Sequence, residues 1–199
     1  MPNISSLRNI HENEDVYVVG AGKSVDYYSD EFWQDKTIIG INQVGKKLPV
    51  DYTVRKEGAE GYGGTLVRSQ YKYGARDELN HGGYLFSHHN NSLTKIKADN
   101  LHPYGESLVV SYSTITSAIH LAAYMGAQTI YVAGHDCKPI NGELTLEGYY
   151  EGERYWGNDD DYEKWLGVIA PQTEWITDYV EANYGCDVIF LQPKVTYAE

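Results

Sequence analysis

His135 and Asp136 stand side by side directly after the apolar run Gln128-Thr129-Ile130-Tyr131-Val132-Ala133-Gly134. An imidazole next to a carboxylate at the carboxyl end of a strand can take up a proton and place charge beside a reacting group. A second cluster, Gly20-Ala21-Gly22-Lys23-Ser24, closes the short run Val16-Tyr17-Val18-Val19. Glycines in such a turn let backbone N–H groups approach a phosphate, and Lys23 and Ser24 add a cation and a hydroxyl. Asn42 and Gln43 end a further apolar run, Thr37 to Ile41, with two neutral amides suited to a ribose hydroxyl or a base edge. Thr116 and Ser117 belong to a hydroxyl cluster ahead of an apolar helix, where they can cap that helix or donate to phosphate oxygens. The expected binding set is therefore Gly20, Gly22, Lys23, Ser24, Asn42, Gln43, Thr116, Ser117 and Gly134, with His135 and Asp136 as the catalytic pair. Each piece also has a plain structural use: a glycine turn between strand and helix, a Ser/Thr cap, a strand-end histidine satisfied by backbone, an aspartate that caps a turn. The glycine pattern lacks the third glycine of the dinucleotide fingerprint and the spacing of a P-loop.

The elements that must carry these residues alternate between apolar strands and helical segments, which predicts a three-layer α/β domain with a mainly parallel central sheet. Residues 16–19, 37–41 and 129–133 are expected side by side at its centre. Ser24 or Asp26 can cap a short helix through Tyr27 to Trp33, and a third strand ends at Val54 beyond Pro49. From Arg55 to Gly105 the periodicity fades, and this irregular stretch reads as a substrate-side excursion or lid carrying short strands at 65–67 and 83–87. Its histidines His81, His88, His89 and His102 match no metal-ligand spacing, so no metal is expected there. Regularity returns at Ser107 to Val110, followed by a hydroxyl-rich stretch and a helix from Ala118 to Met125, stopped by Gly126. Asn141-Gly142 reads as a hairpin turn, Tyr162 to Asn183 as an amphipathic helix broken near Pro171, and Asp187 to Leu191 as the last strand.

At 199 residues the chain is expected to form a single domain, residues 1–199, burying about 70% of the surface of its unfolded form. The cysteines Cys137 and Cys186 fit no metal or disulfide framework and read as free thiols of a cytoplasmic protein. No apolar stretch is long enough to span a bilayer, and the first residues lack a signal peptide's apolar core. A net charge of −12 argues against broad contact with a nucleic-acid backbone and favours a small-molecule or glycan partner. The nineteen tyrosines suit sugar or base pockets, and equally an interface in a homo-oligomer.

Three of these pieces, taken in order, resemble one superfamily. Val-Val-Gly-Ala-Gly-Lys-Ser is similar to its strand followed by Gly-x-Gly-x-Ser, and Gly40-Ile41-Asn42-Gln43 to its second-strand Asn. Thr116-Ser117 through Gly134-His135-Asp136 is similar to its block of Thr-Ser, helix, Gly-Ala, strand and Gly-x-Asp. These features are shared by the bacterial lipooligosaccharide sialyltransferases and the MptE-like proteins, which include archaeal 6-hydroxymethylpterin diphosphokinases and motility accessory proteins. The resemblance implies a Rossmann-like sheet with a nucleotide held by the glycine turn, Asn42 and the Thr116-Ser117 helix start. It further implies a nucleotide-sugar-dependent glycosyltransferase-like enzyme using a CMP-sugar type donor. Its alternatives are a magnesium-dependent diphosphokinase, in which Asp136 helps hold Mg and Lys23 neutralises phosphate charge, and a nucleotide-binding domain without catalysis. The chain departs from the sialyltransferases in having no histidine in residues 150–175, where they carry their catalytic one, while Tyr149, Tyr150, Tyr155 and Tyr162 crowd that region.

Overall fold

Short runs of β-branched and aromatic residues set the frame, because side chains of that kind pack well on a pleated surface buried from both sides. In the computed structural model, which describes residues 7–42, 44–55, 84–87, 113–148 and 159–193, they form one six-stranded sheet. Its strands are β1 (Asp15–Val19), β2 (Thr37–Ile41), β3 (Tyr52–Arg55), β4 (Tyr84–Ser87), β5 (Thr129–Ala133) and β6 (Asp187–Phe190), in the spatial order β4-β3-β2-β1-β5-β6. Every pairing is parallel, with Val18 of β1 opposite Ile39 of β2 and Val132 of β5. The three strands expected at the centre are neighbours, and the architecture is α/β with a Rossmann-like parallel sheet. The expected strand at 65–67, the regular run at 107–110 and most of the 55–105 excursion lie outside the described residues.

Among the described residues three α-helices accompany the sheet: α1 (Asp30–Trp33), α2 (Thr114–Tyr124) and α3 (Asp159–Tyr184). The first is shorter than the sequence suggests. A 3-10 turn over Lys23–Tyr27 takes up the chain before it, and α1 itself is a single turn. Helix α2 begins a turn earlier than expected, because Ser113 caps it: its hydroxyl accepts from the Ile115 N–H at 3.3 Å. All eleven residues of α2 are buried. The helix lies over β1 and β2, with α3 packed on its outer side, where the His120 ring meets the Tyr184 hydroxyl at 2.8 Å and the edge of Tyr179. Helix α3 runs unbroken through Pro171, contrary to the expected break. Pro171 is exposed, and the buried stripe Ile169, Thr173, Ile176 and Val180 passes it at helical spacing, so packing holds both halves on one axis despite the missing N–H.

Tyr17 and Tyr131 share a register position on β1 and β5, and their rings stack at 4.9 Å. Phe32 and Trp33 of α1 meet Tyr17 edge-on, and the Lys36 ammonium lies 4.7 Å from the Phe32 ring centre. Tyr17 and its sheet neighbours Val16 and Val18 point to opposite faces, so α1 and α2 cover β1 from two sides. The segment before β1 then ties down the end of α2: the N–H groups of Asn9, His11 and Asn13 donate to the carbonyls of Tyr124, Met125 and Gly126. Among the described residues no helix is long and apolar enough to cross a membrane.

Candidate functional site

The strand order fixes where a ligand can lie. From β1 the chain winds outward to β4 on one side, then crosses through α2 to β5 on the other side of β1. The carboxyl ends of β1 and β5 therefore diverge at a topological switch point, where open α/β sheets hold their ligands. The loops leaving these two strands are Gly20-Ala21-Gly22 and Gly134-His135-Asp136.

They meet backbone to backbone. The Gly20 N–H donates to the Ala133 carbonyl and the Gly22 N–H to the Gly134 carbonyl, both at 2.8 Å. A Cβ on Gly20 would fall 2.4 Å from the Gly134 oxygen, and one on Gly134 would fall 2.5 Å from the Gly20 oxygen. Gly134 also sits at φ +66°, a left-handed conformation that disfavours a side chain. The glycines at 20 and 134 are thus required by this close approach, whatever they do for a ligand. Gly22 is no freer, since a Cβ there would come 2.5 Å from Asp136 Oδ2 and 2.7 Å from the Gly134 oxygen.

Asp136 reaches across the switch point and accepts a 2.8 Å hydrogen bond from the Ser24 N–H, so its carboxylate caps the 3-10 turn. Ser24 itself is 2% exposed, and its hydroxyl has no hydrogen-bond partner among the described residues. Lys23 points elsewhere: its ammonium donates to Glu143 Oε2 at 2.6 Å and pairs with Asp26 Oδ2 at 3.2 Å. The bond to Glu143, foremost among the causes, raises the Lys23 pKa and keeps the side chain charged.

Glu143 belongs to the hairpin that the Asn141-Gly142 pair forms as expected, with Ile140 and Glu143 exchanging backbone bonds at 2.9 and 3.0 Å. Both turn residues have positive φ, which Asn and Gly tolerate. The hairpin folds back over the glycine turn. Leu146 N–H donates to the Ala21 carbonyl at 2.9 Å, Glu147 N–H to Asp26 Oδ2 at 2.8 Å, and the Asn141 amide to the Tyr27 hydroxyl at 2.8 Å.

His135 is half-buried beside Phe190 of β6, their ring centres 6.0 Å apart, and burial lowers its pKa to about 4. Its imidazole is therefore neutral near pH 7 and can accept or donate without carrying charge. Cys137 Sγ lies 3.4 Å from His135 Nε2, and burial, with the Asp136 charge second, pushes the thiol up to about 11. The pair is a neutral thiol against a neutral ring. Tyr28 also borders Asp136: burial first, then that carboxylate, raises its phenol.

The structure thus brings Gly20, Gly22, Ser24, Gly134 and Asp136 into contact, while the His135 ring turns to Phe190 and the Lys23 side chain to Glu143. Asn42 stands at the end of β2 with φ +52°, its N–H donating to the Val54 carbonyl at 3.0 Å. Gln43 lies outside the described residues. Thr116 and Ser117 are 0% and 1% exposed within α2, and the Thr116 hydroxyl donates back to the Ser113 carbonyl at 2.8 Å, a bond within the first turn of the helix that Ser113 caps. Sequence reasoning missed Glu143, Asp26 and Tyr28 as neighbours of the two loops, while Cys137 stands where its position after Gly134 puts it. The Asn-Gly turn signalled the hairpin, but no local signal tells which surface a hairpin will cover.

The class that fold and site define is an α/β protein with a Rossmann-like sheet whose β1 and β5 loops meet at the switch point. Comparison of the chain with protein-family models, curated proteins and solved structures returned no match.

Proposed function

We propose that the chain is a nucleotide-sugar-dependent transferase of the sialyltransferase-like kind, holding the phosphate of its donor at the crevice between the ends of β1 and β5. The observation that supports this most is the meeting of the two glycine loops at the switch point, where Asp136 of one loop accepts from the Ser24 N–H of the other. In this reading Lys23 balances charge on the leaving phosphate, a role that needs a cation held in place before the reaction. His135, neutral and half-buried, accepts the proton of the acceptor hydroxyl, and a bound phosphate raises its basicity by opposing the effect of burial. Asp136 holds the glycine turn in shape through Ser24 and orients the site rather than taking the proton itself.

A thermal-shift panel of cytidine, uridine, guanosine and adenosine nucleotides, each with and without magnesium, tests the proposal, because a ligand that binds only the folded chain raises its melting temperature. A rise with a cytidine nucleotide in the absence of magnesium is the expected result, followed by hydrolysis of CMP-sugar that His135→Ala slows by about 100-fold or more. A shift seen only with ATP and magnesium moves the protein to the diphosphokinase reading. No shift with any nucleotide sinks the crevice as a nucleotide site.

A further inference from the structure

The cation that a phosphate would seek is already held by the chain's own carboxylates. Lys23, whose side chain is 17% exposed, is clasped by Glu143 at 2.6 Å and Asp26 at 3.2 Å, and Lys47 stands 3.7 Å from the other Asp26 oxygen. The two carboxylates on Lys23 differ in how firmly they are placed. The Asp26 side chain is 14% exposed and receives the Glu147 N–H, so it is fixed. The Glu143 side chain is 61% exposed and sits just past the hairpin tip, where, among the described residues, its bond to Lys23 and the backbone exchange with Ile140 restrain it. Asp136 is fixed too, packed between Gly22 and the Ser24 N–H.

We propose that residues 138–147 form a strap that Lys23 and Glu143 hold closed over the glycine turn, and that an entering phosphate opens it by taking Lys23 from Glu143. This rests on the reading of the crevice as a phosphate site. The geometry singles out Glu143 as the member that yields: an exposed ion pair is weak and screened by water, whereas moving Asp26 or Asp136 strips a backbone N–H of its partner. Once Glu143 lets go, the base of the strap stays attached through the Gly22–Thr145 bridge, the buried Leu146 and the bonds from Leu146 to Ala21 and from Glu147 to Asp26, while its tip keeps the Asn141 bond to Tyr27. The tip swings more freely above the glycine turn. The strap is then a latch in which substrate charge replaces protein charge.

The test compares wild type with Glu143→Gln, which keeps the size of the side chain and removes its charge. Binding of inorganic phosphate and of CMP is measured by calorimetry, and amide exchange of the tip residues Ile140 and Glu143 by hydrogen–deuterium exchange with and without phosphate. The expected result is binding about two- to five-fold tighter in Glu143→Gln, together with faster exchange at the strap amides when phosphate is added to wild type. If wild type binds CMP but Glu143→Gln binds no more tightly and strap exchange is unmoved, the latch is wrong and the crevice reading stands. If neither protein binds phosphate or CMP, both readings fall.

Discussion

Replacing Gly134 by alanine tests the join between the two loops, and its cost can be split into parts that other glycines isolate. Gly185, just after α3, has φ +70° and nothing within 4 Å of an added Cβ, so Gly185→Ala carries only the conformational cost, about 1–2 kcal/mol. Gly20 has no positive φ, but its Cβ would meet the Gly134 oxygen at 2.4 Å, so Gly20→Ala carries only the crowding cost, about 1–3 kcal/mol. Gly134 combines φ +66° with a contact of 2.5 Å to the Gly20 oxygen and 2.6 Å to Val25 Cγ2. Its alanine variant should lose about 2–5 kcal/mol, the sum of the two. At about 2–4 °C per kcal/mol for a chain of this length, that is a fall in melting temperature of roughly 4–20 °C. Thermal and urea unfolding of the three variants, followed by circular dichroism, give the comparison. If Gly134→Ala melts with Gly185→Ala rather than well below it, the backbone contact is not as tight as described and the reasoning fails.

The depressed His135 pKa makes stability depend on pH. The unfolded imidazole binds a proton near pH 6.5 and the folded one only near 4, so the contribution is complete above about pH 6.5 and is lost as the pH falls through that window. Between pH 7 and pH 4.5 wild type should lose roughly 2–3 kcal/mol more than His135→Gln in urea unfolding; equal losses would show that the ring is not buried as described. In α3, Gly167 has open space where a Cβ would stand, so Gly167→Ala should gain about 0.5–1 kcal/mol by narrowing the unfolded ensemble and favouring helix. A lowered melting temperature would contradict an unbroken helix at that point.

The parts of the fold carried by local pattern were legible in the sequence. The runs at 15–19, 37–41, 129–133 and 187–190 announce themselves by β-branched and aromatic residues between glycine and polar punctuation, and the Asn141-Gly142 turn by the φ values it requires. The start of α2 was misplaced by four residues. A cluster of hydroxyls reads equally as ligand donors or as a cap, and only the Ser113 bond to Ile115 decides between them. The break expected at Pro171 failed because a local penalty was outweighed by a buried stripe that spans it. At the crevice, position was readable and occupancy was not. Strand ends place Gly22, Ser24 and Asp136 together, but whether a carboxylate or open space faces the Ser24 N–H depends on residues far apart in the chain.

The order of the sheet has a consequence for how the molecule comes into being. β1 pairs along one edge with β2, the next strand to be made, and along the other with β5, so that Asp15 lies opposite Thr129. A chain emerging from the ribosome thus displays β1 and β2 long before β5 exists, with one edge of β1 and the face later covered by α2 open to other chains. Distant pairings of this kind make folding slow and leave unfinished sheets prone to stick to one another. The arrival of α2 and β5 seals edge and face in one step.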